Sequence, residues 1–211
     1  MTKKSLIAGG VIVLVAAIGY LIINGSGDSD SGSKSVDVAF ATQMVPHHEA
    51  AIEMATLAQS KAEHREIVDL AYAIVSTQGD EIKTLNSIRE RLEADGIEGE
   101  NDLQMSDSMM GMDMDMSALE NADPFDREFI DQMIPHHQGA IRMAYQELED
   151  GADDETRALA ESIIEAQTLE IEQMNRWRED WYGSVSPAGS APTGPIKDDS
   201  SEAESMDHMD H

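Results

Sequence analysis

The chain has 211 residues, with 42 Asp and Glu against 14 Lys and Arg, a formal charge of −28 at neutral pH. Such a surface repels phosphate backbones, whose binding depends on Lys and Arg, so nucleic acid is excluded as a partner. No cysteine is present, which excludes disulfides, thiolate metal sites and cysteine nucleophiles and leaves His, Met and carboxylate for any metal chemistry.

In chain order, Lys3 and Lys4 precede Leu6–Ile23, an uncharged apolar run of 18 residues. That length is near the minimum for a membrane span and long for a signal-peptide core. Positive charge before the run and Asp28 and Asp30 after it place the rest of the chain outside the cytoplasm. Residues 1–23 are therefore expected to be an N-terminal transmembrane anchor, with a cleaved signal as the alternative that would make the protein secreted. Residues 24–35, rich in Gly, Ser and Asp, read as a flexible tether. Residues 183–211 are rich in Ser, Pro, Gly and acid with few large apolar side chains, and are expected to form a disordered acidic tail ending in Met and His.

The segment between, 36–182, is an internal duplication. Sliding it by 89 residues sets Phe40–Ala55 on Phe129–Ala144, Gln78–Ile82 on Gln167–Ile171 and Asn86 on Asn175, with 20 identities in the 53 positions from 40 to 92. Repeat one is read as 36–99, a Met-rich linker as 100–122 and repeat two as 123–182. Within each unit apolar residues recur at three- and four-residue steps, as in Met44, His47, Ala51, Met54, Ala55 and then Ile67, Leu70, Ile74, Gln78, Ile82. This is the period of two amphipathic helices. Two such hairpins predict an all-α four-helix bundle. Asp123-Pro124 suggests the cap and first turn of the second repeat. Pro46 and Pro135 should lie a turn or two inside their helices and kink them beside the His pairs. A local rule broken twice at one place marks a functional site.

The chemistry-bearing motif is Met-x-Pro-His-His-x5-Met, at Met44, His47, His48 and Met54 and again at Met133, His136, His137 and Met143. At 100° per residue both histidines flank the face that carries the methionines. Imidazole nitrogen with thioether sulfur is a borderline-to-soft donor set, suited to copper, and to Cu(I) above all. Glu81 and Glu170, each three residues after a Gln on the second helices, are secondary candidates. They could orient a ligating His, bind metal directly or pair with Arg89 or Arg178. Methionine totals 14 against nine aromatics, and six lie in the linker: Met105, Met109, Met110, Met112, Met114 and Met116. Interleaving with Asp and Gly leaves them no helical stripe to bury, so they read as a soft-metal capture segment. Met206, His208, Met209 and His211 repeat that pattern in the tail.

The duplicated Met-x-Pro-His-His, with Gln-x-x-Glu-Ile and a following Asn in the second helices, resembles the domain of unknown function 305 family over about 36–182. The resemblance implies a ferritin-like four-helix bundle and extracytoplasmic copper binding through Met44, His47, His48, Met54, Met133, His136, His137 and Met143. The expected function is a membrane-tethered protein that buffers or sequesters copper, with the metal ion and the membrane as partners and self-association left open. No catalysis is expected. The alternatives are a ferritin-like di-metal oxidase, for which the sequence lacks the Glu-x-x-His motifs and the full Glu set, and a helical interaction module that binds no metal.

Overall fold

The computed structural model describes residues 31–99, 103 and 105–195. Five helices and no strand occur among the described residues: α1 (Ser31–Lys61), α2 (Arg65–Ala94), α3 (Met116–Asn121), α4 (Phe125–Asp150) and α5 (Asp154–Tyr182). The four long helices form two hairpins. α1 packs along α2 and α4 along α5, α1 crosses α4, and α2 meets α5. No helix among the described residues is long and apolar enough to cross a membrane, and the proposed anchor at 1–23 lies outside them.

Two apolar clusters fill the interior. One gathers Met54, Ile67, Ile74, Phe129 and Met133. The other gathers Phe40, Met44, Leu85, Met143 and Ile163. Met44 of α1 thus shares a cluster with Met143 of α4, and Met54 shares the other with Met133, which is the pattern of two helices crossing antiparallel near their midpoints. The histidine pairs, between the methionines on both helices, fall between the clusters. Pro46 is the sixteenth residue of α1 and Pro135 the eleventh of α4, deeper than the turn or two expected, and helix continues through both.

The two halves seal each other's ends. Asp126, buried at the start of α4, accepts hydrogen bonds from the backbone N–H groups of Glu63 and His64 at 3.0 and 2.8 Å, where α2 begins. Asp37, equally buried in α1, accepts from the N–H groups of Ala152 and Asp153 at 3.1–3.2 Å, where α5 begins. Asp37 and Asp126 are related by the same 89-residue offset, as are the turns they cap. A carboxylate at a helix N-terminus satisfies orphan donors and complements the helix dipole. Asp126 also takes the Nδ1 hydrogen of His64, at 2.6 Å, whose ring stacks on Trp181 with centroids 3.6 Å apart.

Several expected boundaries shift. Residues 31–35, read as tether, already belong to α1, and α4 begins at Phe125 after a cis Asp123–Pro124 bond. The Met-rich segment is not free of packing. It carries α3, whose Leu119 is fully buried, and Met105, Met110, Met114 and Met116 rest against the two clusters. The alternation that seemed to deny it an apolar face supplies one: along an extended chain Met112, Met114 and Met116 turn inward while Asp113 and Asp115 stay exposed. Residues 183–195, expected to be disordered, fold back on the bundle. Arg178 grips Asp131 at 2.7 and 2.9 Å and donates to the carbonyls of Ser184 and Val185, while Asn175 holds Gly189 and Ser186. The polar backbone of this segment is bonded by side chains, so it orders without a core of its own.

Replacing Asp126 by Ala removes two backbone caps and the His64 bond. It should lower stability by about 2–3 kcal/mol, read by urea unfolding. Glu147 offers a second test. It is fully buried, and burial together with the neighbouring Asp37 carboxyl pushes its pKa from 4.5 up to about 10. The unfolded chain ionises there above pH ~4.5 while the folded chain does not, so stability drains as pH rises toward 10. Glu147→Gln should therefore raise the melting temperature more at pH 8 than at pH 5.

Candidate metal centre

Four histidines occupy the middle of the α1–α4 crossing. His48, His136 and His137 are wholly buried and His47 is 2% exposed. His47 and His136 are equivalent under the 89-residue offset, and their rings face each other across the internal two-fold with centroids 3.8 Å apart. His48 and His137 stand farther out, 6.3 and 6.4 Å from the neighbouring rings of their own pairs. Met44, Met54, Met133 and Met143 are all fully buried on the same two helices.

The second helices place the carboxylates. Nε2 of His137 is 2.7 Å from Oε2 of Glu170 in a hydrogen bond, and Nε2 of His48 lies 2.8 Å from Oε2 of Glu81, in ion-pair range but off line for a hydrogen bond. The carboxylates thus go to histidine and not to arginine. Arg178 is taken by Asp131, and Arg89 by Asn86. Gln78 and Gln167, one turn before the Glu residues, are 3% exposed and leave their side-chain oxygens without a donor.

Protonation follows from these contacts. Nε2 of His47 sits 2.8 Å from the carbonyl oxygen of Met110. A carbonyl only accepts, so Nε2 carries the hydrogen and Nδ1 of the neutral ring keeps a bare lone pair. Nε2 of His137, facing a carboxylate that only accepts, likewise carries a hydrogen. Burial, then the neighbouring His48, lowers the His47 pKa to about 3, and burial, then His47, holds His136 well below the usual histidine range. The inner pair, His47 and His136, is therefore neutral. Nδ1 of His47, His48 and His137 and both ring nitrogens of His136 are buried with no hydrogen-bond partner. Buried polar atoms are ordinarily paired, and leaving one unpaired costs about 1–3 kcal/mol.

Buried imidazole nitrogens without partners, carboxylates beside His48 and His137, and four buried methionines on the same two helices form a donor set suited to a borderline-to-soft cation. Among the described residues no group of three or more His, Asp or Glu converges closely enough to enclose an ion. Of the secondary candidates, Met109 is 36% exposed, and Met110, Met112, Met114 and Met116 are half-buried. His208 and His211 lie outside the described residues.

Three contributions were not anticipated from the motif. Asp37 and Asp126 stand three residues before the compared stretch, although the 89-residue offset relates them. Glu147 occupies the position where the first repeat has Ala58. The backbone carbonyl of Met110 carries no side-chain signature at all. The depressed histidine pKa values give a direct test. Above pH ~6.5 the rings are neutral in folded and unfolded chains alike. Below it only the unfolded chain takes up the protons, so stability should fall by more than about 1 kcal/mol per pH unit for each of His47 and His136. Urea unfolding from pH 7.5 to 4.5 should show this slope, and replacing both residues by Gln should flatten it.

The family model for Domain of unknown function (DUF305) matches residues 37–178 and 153–211. The chain belongs to this family. Among solved structures it is similar to CopM in an Ag-bound form, with 39% identity, a TM-score of 0.60 and coverage of 70% of this chain and 98% of that one. CopM in a Cu(I)-bound form matches with 39% identity, a TM-score of 0.59 and the same coverage. A DUF305 protein from Streptomyces coelicolor, described as secreted, matches with 25% identity, a TM-score of 0.61 and coverage of 71% and 94%. No curated protein matches the chain.

Proposed function

From membership in this family and from the centre just described, we propose that the protein binds copper outside the cytoplasm and buffers or sequesters it, with no catalytic step. The observation that carries the proposal is the set of buried imidazole nitrogens without partners, on the two helices that also carry the buried Met44, Met54, Met133 and Met143. Nitrogen and thioether donors favour Cu(I), and the solved CopM structures with copper and silver supply the analogy for a soft ion. His47, His48, His136 and His137 with the four methionines are the proposed ligand set. Glu81 and Glu170 serve as orienting groups that keep the ligating tautomer in place.

The two hairpins form a ferritin-like bundle over 36–182, and residues 1–23 tether it to the membrane facing outward. Met109, Met110, Met112, Met114 and Met116, with the His and Met of the far tail, collect the ion from solution. The −28 charge raises the local cation concentration, an effect that salt screens.

Titration of the protein with Cu(I) against a chromophoric competitor tests the site. Changing His47, His48, His136 and His137 together to Ala should weaken binding by at least about 100-fold, since outer-shell changes alone cost 10–100-fold. An unchanged affinity removes the bundle site. Glu81→Gln with Glu170→Gln should weaken binding less than the four-histidine change.

A further inference from the structure

The histidines are sealed, so an ion reaches them only if something moves. The Met109–Met112 segment lies over them. It docks on α4 by contacts made almost entirely through backbone. The Met110 carbonyl accepts from His47. The Met109 carbonyl accepts from Nη1 of Arg142 at 3.1 Å. Gly111, at φ +70°, lies so close to α4 that a Cβ there would come within 2.2 Å of the Pro135 carbonyl oxygen and 2.8 Å of the His136 Cα. A Cβ on Gly139 would come within 1.7 Å of the Met110 carbonyl oxygen.

The repeat shows that this docking place is a departure from the duplicated plan. Gly139 and Arg142 of α4 correspond to Ala50 and Glu53 of α1. Glycine inside a helix costs roughly 1 kcal/mol relative to alanine, and here its missing methyl is the room the segment occupies. Glu53 in place of Arg142 could not donate to a carbonyl. The two-fold centre is covered by a segment that only its second half is shaped to receive.

Resting on the copper reading, we propose that residues 109–112 form a cover that controls access to the His47–His136 pair and holds His47 in the tautomer with a bare Nδ1. The cover is held from outside by Arg142, seated in the notch at Gly139, and shed when these contacts break. Its thioethers at Met109, Met110 and Met112 travel with it.

The test uses the full chain and two readouts. In the metal-free protein, carbethoxylation of His47 and His136 by diethyl pyrocarbonate, followed by peptide mass spectrometry, measures access alone. In the second, the rate of Cu(I) transfer from bicinchoninate measures uptake. Arg142→Ala should accelerate both about tenfold, the factor expected for loss of one hydrogen bond from a charged donor, with the amount of Cu(I) bound at equilibrium unchanged. Arg142→Lys, which can still donate, should stay near the wild type. Gly139→Ala should accelerate both further while circular dichroism shows retained helix; if that variant loses helix, Arg142→Ala decides. Wild-type rates of modification and uptake in the folded variants overturn the cover. Faster modification in a protein that takes no Cu(I) supports the cover and sinks the copper reading, whereas normal Cu(I) binding at rates indifferent to both substitutions sinks the cover alone.

Discussion

Two imidazoles pressed together on an internal two-fold set the terms for everything around them. For buried His47 and His136 to meet at 3.8 Å, α1 and α4 must cross antiparallel at their motifs, and both rings must shed their charge. The crossing pairs Met44 with Met143 and Met54 with Met133, giving an apolar cluster on either side. Those clusters stabilise a layer that on its own is unfavourable, because its nitrogens are removed from water without replacement partners. A chain selected only for stability would place leucine there, since replacing buried polar groups by apolar ones of similar shape is neutral or better. The polar layer is what the copper reading accounts for and what packing alone does not.

The two halves differ in how far they are enclosed. Both carry the His pair and the Glu behind its outer ring, yet α4 is enclosed nearly all round where α1 is not. The enclosing segments come from the linker and from the chain after α5, and they meet α4 at Gln138, Gly139 and Arg142, whose equivalents in α1 are Glu49, Ala50 and Glu53. Gln138 donates to the carbonyls of Ala188 and Ser190, a bond that a carboxylate at the same place could not make. The repeat gives the symmetric centre, and differences between the copies give it a covering on one side only.

The helices, their pairing and the histidine face were legible because they rest on periodicity and on repetition at one offset. The caps at Asp37 and Asp126 were written in the same offset but fall outside the motif, and a lone Asp has no periodic signature. Met110 acts through its carbonyl, and Gly111 and Gly139 act through the absence of a side chain, so sequence pattern gives them little voice. The Met–Asp alternation shows how a period can be misread. Judged as helix it has no face, whereas as an extended chain on a surface it has one every second residue. The segment from 183 to 195 has few large apolar residues, the composition of a disordered tail, yet Arg178, Asn175 and Gln138 hold its backbone.

The reciprocal caps bear on what a single repeat could be. Each half brings a turn with two backbone N–H groups at the start of its second helix, together with an Asp that accepts from the turn of the other half and not from its own. An isolated hairpin of this kind would also expose one imidazole of the central pair and half of each apolar cluster. Two identical copies would supply all of these complements at once, because a two-fold contact is self-complementary by construction. The present chain therefore has the internal logic of a symmetric dimer whose subunits have been joined end to end. Halves within one chain need not be alike, and Glu147 against Ala58, like Gly139 against Ala50, marks where they differ.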